Sequence, residues 1–208
     1  MARSELSKIA IGINDHNWNI LQAVFEVIPD FRSVDFTIVG HIDFLNDFFS
    51  NSEFSSAGRT VTQDKIILND TVVNFKPCHT VTPAEVWAGQ KKVPPGNIII
   101  NSLEVAVKLG MEFKVSAVVF LPISVTALSD RGFLYDSLKT ILSDWTRCDI
   151  DHKINTIDES HYIQEFTGLP FRAFSPYPAE MEKRTDILKD LKIEMKGLLE
   201  HALSFIDA

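Results

Sequence analysis

Glycine is scarce in this chain. There are nine in 208 residues, and none form a GxGxxG turn or a phosphate-binding loop. Those two nucleotide-binding motifs are therefore missing from the sequence, as is a GxSxG nucleophile elbow. Cysteine is scarcer still: Cys78 and Cys148 stand far apart and form no CxxC. Free thiols in a reducing compartment are the expectation, not a disulfide framework. Positive charge is in deficit, with 20 Lys and Arg against 28 Asp and Glu, for a net charge of -8. The basic residues are dispersed, so the face a nucleic-acid binder needs is not indicated. No apolar run approaches the roughly 20 residues that cross a bilayer. The opening "MARSELSKIAIGIND" shows neither the apolar stretch nor the small-residue cleavage site of a secretory signal. A cytoplasmic protein with no membrane and no nucleic-acid partner is expected.

What is present is alternation between strand and helix patterns. Ile9, Ile11 and Ile13 alternate with small residues as in a strand. Asn14-Asp15-His16-Asn17 interrupts them, and Ile20, Leu21, Val24, Phe25 and Ile28 then follow at helical spacing up to Pro29-Asp30. "VDFTIVG" reads as a second strand, and Ile42, Phe44, Leu45, Phe48 and Phe49 as one face of a second helix. Further on, "KIILNDTVVNF" pairs two β-rich runs around Asn69-Asp70, predicting a hairpin at an edge or in an insertion. Ile99, Leu103, Ala106 and Val107 share a helical face that Gly110 ends. "VSAVVF" is apolar on both faces, as a central strand covered on each side must be.

Beyond that strand, Leu134, Leu138, Ile141, Leu142 and Trp145 predict a helix, and "SHYIQEFTG" a shorter one closed by Gly168. "LPFRAFSPYPAE" holds three prolines and reads as an extended connector. From Ala179 to Ala208 the sequence predicts a long helix with Leu188, Leu191, Met195, Leu198, Ala202 and Phe205 on one stripe. Such a stripe packs either on its own domain or on a second subunit, and periodicity does not choose between them. The expected fold is α/β and three-layered: a mostly parallel sheet with helices on both faces, a β-hairpin insertion and a long C-terminal helix. Residues 1–170 form the α/β domain on this reading, and 171–208 the connector and amphipathic helix.

In order, several stretches resemble the 4-hydroxythreonine-4-phosphate dehydrogenase family, which has an isocitrate/isopropylmalate dehydrogenase-like fold. "IAIGINDHNWN" is similar to the family's first strand and acidic turn, with Asp15 at the acidic position. "FTIVGHIDFL" resembles its second strand and helix, "SLEVAVKLGMEFKVSAVVFLPISVTAL" its Ser-Leu-Glu helix, following strand and Ala-Pro-Ile-Asn-Lys turn, and "SHYIQEFTG" the tail of its Gly-His-Thr-Glu segment. The resemblance implies a site at the strand ends, a divalent metal, NAD and a phosphorylated substrate. It also marks departures. Ser124 and Val125 stand where the family has Asn-Lys, so the amine is missing; Glu159 stands where a metal-ligating histidine belongs, with His161 two residues later. The distance from Pro122 to this segment is longer than the family's, and the chain is shorter.

The candidate ligand-binding residues are Asp15, His16, Ser124 and Thr126, at two strand ends where open α/β sheets bind ligands. Helix starts there would favour a small anionic ligand, phosphorylated ones included. The structural alternative is that Asp15 or Asn14 caps the first helix and Ser124 or Thr126 the next, the commonest job of such residues. No metal or cofactor is expected unless the family's chemistry survives, in which case Glu159 and His161 are the candidate metal ligands, while "CDIDH" (Cys148 to His152) reads as solvated polar residues. No catalytic residue is assigned. The leading expectation is a divergent family member without dehydrogenase chemistry that keeps a ligand- or partner-binding surface. Two others stay open: an active NAD- and metal-dependent oxidoreductase of vitamin B6-type metabolism with altered ligands, and an interaction protein forming a homodimer through its C-terminal helix.

Overall fold

The computed structural model describes residues 7–13, 18–51, 59–62, 64–68, 70–78, 95–158, 161–176 and 187–206. Nine strands form one sheet in the order β3-β4-β5-β2-β1-β6-β9-β8-β7. Its centre is parallel. β1 (Ser7–Gly12) lies between β2 (Val34–Gly40) and β6 (Ala117–Phe120). β5 (Thr71–Pro77) extends the parallel set beyond β2, and β9 (Arg172–Pro176) extends it beyond β6. Both ends are antiparallel. β3 (Arg59–Val61) and β4 (Lys65–Leu68) pair onto β5, and β7 (Asp151–Thr156) and β8 (Tyr162–Thr167) pair onto β9.

The helices divide between the two faces as the period-2 pattern of the strands requires. On one face Ile9, Ile11, Phe36, Ile38, Ala117 and Val119 pack under α1 (Trp18–Val27), α2 (Ile42–Asn51) and the C-terminal helix. Their alternates Ala10, Val39, Val118 and Phe120 face the other layer. That layer consists of α3 (Pro95–Met111), the short α4 (Val125–Ser129) and α5 (Leu138–Thr146). Both faces of β6 are thus buried, though Ser116 just before it is exposed, and the three-layer expectation holds. The hairpin around residues 69 and 70 is present too, though β5 belongs to the parallel run as well as to the hairpin.

The C-terminal helix α6 (Ile187–Ile206) buries Leu191, Met195, Leu198, Leu199 and Ala202 in the core it shares with α1. At roughly 1.5–3 kcal/mol for each large apolar side chain buried, that contact binds the helix firmly to its own domain. The stripe that raised the idea of a homodimer is therefore occupied within one chain.

Three expectations are corrected. "SHYIQEFTG" is not a helix: Tyr162–Thr167 is β8, with Ile163 directed to one layer and Phe166 to the other. Six residues are too few to impose a helical face against an adjacent open strand edge. Gly168 does end the element, at φ +92, where an added Cβ would lie 2.2 Å from the Asp149 carbonyl oxygen. The proline-rich connector is likewise a strand over Arg172–Pro176, with Pro170 before the strand and Pro176 at its last residue, both outside the β6–β9 ladder. Leu134 is outside α5 and 92% exposed; the helix begins only after its cap at Ser137.

Candidate functional site

Because β1, β2, β5, β6 and β9 run parallel, their C-terminal ends share one rim of the sheet. The pairing Gly12↔Phe120 brings the exits of β1 and β6 side by side, and Leu121 N–H donates to the Gly12 carbonyl at 3.4 Å. The apolar run at Leu121 ends because Pro122 has no N–H for a ladder and its ring disfavours a helix before it. Residues 14–17, with Asp15 and His16, lie outside the described residues, as does Glu159.

The hydroxyl of Ser124 is committed. Ser124 is the N-cap of α4 and accepts from the Ala127 N–H at 3.2 Å. Thr126 is exposed in the first turn of that helix. His161 lies at the same rim, in the turn between β7 and β8, and is buried. Its Nδ1 is 2.7 and 2.8 Å from the two carboxylate oxygens of Asp158, and its backbone N–H donates to the same group at 2.9 Å. That arrangement closes a hairpin. β8 is two strands from β6, about 10 Å at ordinary strand spacing, so His161 and Ser124 do not converge. Among the described residues, no three His, Cys, Asp or Glu side chains are grouped to hold a metal ion.

What the rim does hold is a cleft of about 280 Å³ between the β6–α4 turn, the start of α5 and the antiparallel end of the sheet. Pro122, Ile123 and Val125 form its apolar wall, Asp136 to Lys139 a second wall, and His152, Gln164, Ser175 and Pro176 its sheet side. Several of these positions have a clear local cause. Ser137 and Thr140 form a reciprocal capping box, each side chain bonding the other's backbone N–H, which fixes the start of α5. Hydroxyls of Thr140 and Ser137 also donate to the Asp136 carboxylate, holding its pKa below the usual carboxylate value. The register pair Gln164↔Ser175 puts both side chains on the α5 side of the sheet. The His152 ring lies 6.3 Å from that of Phe166, its neighbour across the ladder.

A second polar cluster sits on the opposite face. The buried Glu165 accepts from Asn155 Nδ2 at 3.3 Å, with Arg172 Nη1 at 3.7 Å and His201 Nε2 at 3.8 Å. His201 packs edge-on against Phe174 and Phe205, and the Arg172 guanidinium lies 5.0 Å from the Phe205 ring centre. This group ties the end of α6 to β8 and β9. Sequence reasoning did not single out Lys139, Gln164, Ser175, Glu165 or Arg172. Neither "YIQEFT" nor "RAFSP" alternates polar and apolar residues, so no local signal marked these positions.

No protein-family model matches this chain. Its sequence finds no match among curated proteins either. Its fold is similar to the crystal structure of a 4-hydroxythreonine-4-phosphate dehydrogenase from Burkholderia phymatum, with a TM-score of 0.52 and 14% identity. The superposition covers 74% of this chain and 47% of that one, so the likeness spans about half of the dehydrogenase. At that identity it is a likeness of fold. The chain is an α/β protein whose fold is similar to part of that structure, and among its described residues no helix is long and apolar enough to cross a membrane.

Proposed function

We propose that this chain is a small-molecule-binding α/β domain on a dehydrogenase-like framework, without NAD-dependent dehydrogenase chemistry of its own. The observation that carries this reading is the cleft at the C-terminal rim of β6 and β9, where open α/β sheets bind ligands. Three facts support the loss of chemistry. Val125 stands where the resembling family has a lysine, and Ser124 beside it is spent on capping. His161 is paired with Asp158 rather than placed near the cleft. The cleft also lies at the lower edge of the roughly 300–1,000 Å³ of drug-sized sites and is too small for a dinucleotide.

The test is ligand-observed NMR with a mixture of small polar molecules on wild type and on Gln164→Trp, which fills the cleft. Binding that disappears in a folded Gln164→Trp supports the reading; binding that survives it places the site elsewhere. Oxidation of a phosphorylated hydroxy-amino acid by the purified chain with NAD and a divalent metal would contradict the loss of chemistry. The homodimer has lost its motivation, since the stripe of α6 is covered within the chain.

A further inference from the structure

We infer that the rim cleft takes an uncharged, polyhydroxylated molecule of about monosaccharide size, in preference to the anion that helix starts at a sheet rim suggest. This rests on the reading of the cleft as a ligand site and specifies what enters it. The charges at the cleft are already balanced or committed. Lys139 Nζ has Asp151 Oδ1 at 3.9 Å, and Asp136 Oδ1 receives the hydroxyls of Ser137 and Thr140. Counting Asp151 beside the cleft, two carboxylates face one ammonium. An arriving anion would gain one cation and meet two like charges, in a protein of net charge -8.

The groups left over are neutral and two-sided. The Gln164 amide carries donors and an acceptor, and the His152 ring adds two nitrogens; neither side chain makes a hydrogen bond among the described residues. The buried Ser175 hydroxyl donates only a 3.3 Å contact to the Pro176 carbonyl, leaving its oxygen able to accept. Together they offer donors and acceptors at short range without net charge, which matches the alternating hydroxyls of a polyol. Pro122, Ile123 and Val125 on the opposite wall suit the C–H face of such a molecule. Rejection of wrong ligands follows from the same groups, because a ligand that leaves a half-buried amide or hydroxyl unpaired pays its desolvation without return.

The experiment is a titration of the isotopically labelled full chain, followed by amide ¹H–¹⁵N shifts at constant ionic strength. The probes are D-ribose and myo-inositol against ribose 5-phosphate and inorganic phosphate. We expect the neutral probes to shift the amides of Ile123, Lys139, His152, Gln164 and Ser175, and the phosphates to bind at least tenfold more weakly. Gln164→Leu and His152→Phe each weaken the neutral probe tenfold or more, so a folding defect in one leaves the other to decide. Asp151→Asn, which removes a like charge, strengthens ribose 5-phosphate severalfold and leaves ribose unchanged. If the phosphates bind the cleft more tightly than the neutral probes in wild type, this inference is overturned while the cleft stands as a ligand site. If no probe of either kind shifts a cleft amide, both readings fall.

Discussion

The parallel centre of the sheet and its antiparallel end at β7–β9 are built from the same pleat but spend their residues differently. In β6 every side chain, and in β1 those of Ile9, Ala10 and Ile11, are apolar and buried, on one face under α1 and α6 and on the other under α3. In β7 most of the side chains are exposed, and β8 alternates apolar residues with Gln164 and the buried Glu165. The centre supplies stability and offers little for recognition. The end carries polar side chains on both faces: one set lines the cleft, the other ties down α6. The candidate site sits at the seam, where a strand with apolar neighbours on both faces hands over to strands that have room for polar groups.

The contrast is sharpest in stability. Phe120→Ala, in the centre, empties a fully buried aromatic position and is expected to cost about 3–5 kcal/mol. Ile154→Ala, on a β7 residue that is half exposed, is expected to cost under about 0.5 kcal/mol. Urea unfolding of both variants measures the difference, and comparable losses would break the distinction. Glu165→Ala comes next, at about 1–2 kcal/mol, because it strands Asn155 and loosens Arg172 and His201; half exposure of Arg172 keeps the ion pair itself weak. A double-mutant cycle with His201→Ala should show coupling between β8 and α6. Ser137→Ala removes the cap of α5 and is expected to cost about 1 kcal/mol while loosening one cleft wall.

The two thiols report the same contrast chemically. Cys78, after β5 in the centre, has its pKa pushed up to about 12 by burial and, less strongly, by Glu104. At pH 8 the folded protein should show one rapidly modified thiol, Cys148, and Cys148→Ser should abolish that phase; fast labelling of Cys78 would show that the centre opens. The smallest effect is at Asp136. Its folded pKa is lowered, first by the Thr140 hydroxyl and then by that of Ser137, so its contribution is present above the ordinary carboxylate pKa near 4. It is lost as pH falls through the lower folded value. Asp136→Asn should therefore lose that small contribution at pH 7 to 8 and flatten the acid-side slope in stability, measured by thermal melts between pH 8 and 3.

Where apolar residues sit on both faces, as in "VSAVVF", or recur at helical spacing, as in α2 and α6, the fold was legible from the sequence. Burial dictates those patterns, and burial is what hydropathy records. The antiparallel end was misread because its strands are short and carry polar side chains on both faces, and β9 has Pro170 before it and Pro176 at its end. β9 is held by pairing with β6 and β8, and such long-range partners leave no local trace in "FRAFSP". The cleft proposed as the site was legible only in part. It abuts the Pro122 edge that the sequence pointed to, yet most of the side chains that line it come from α5, β7, β8 and β9, brought together by a register that no spacing rule reveals. The fold likeness to the dehydrogenase agrees with the resemblance noted in the sequence, over about half of that protein's length.

The most direct test of the central claim is a crystal structure of the chain soaked with D-ribose or myo-inositol. The account predicts density for the molecule between Ile123 and Gln164, within hydrogen-bonding distance of Gln164 and Ser175. A cleft filled by its own side chains, or a ligand bound only at another surface, would contradict it.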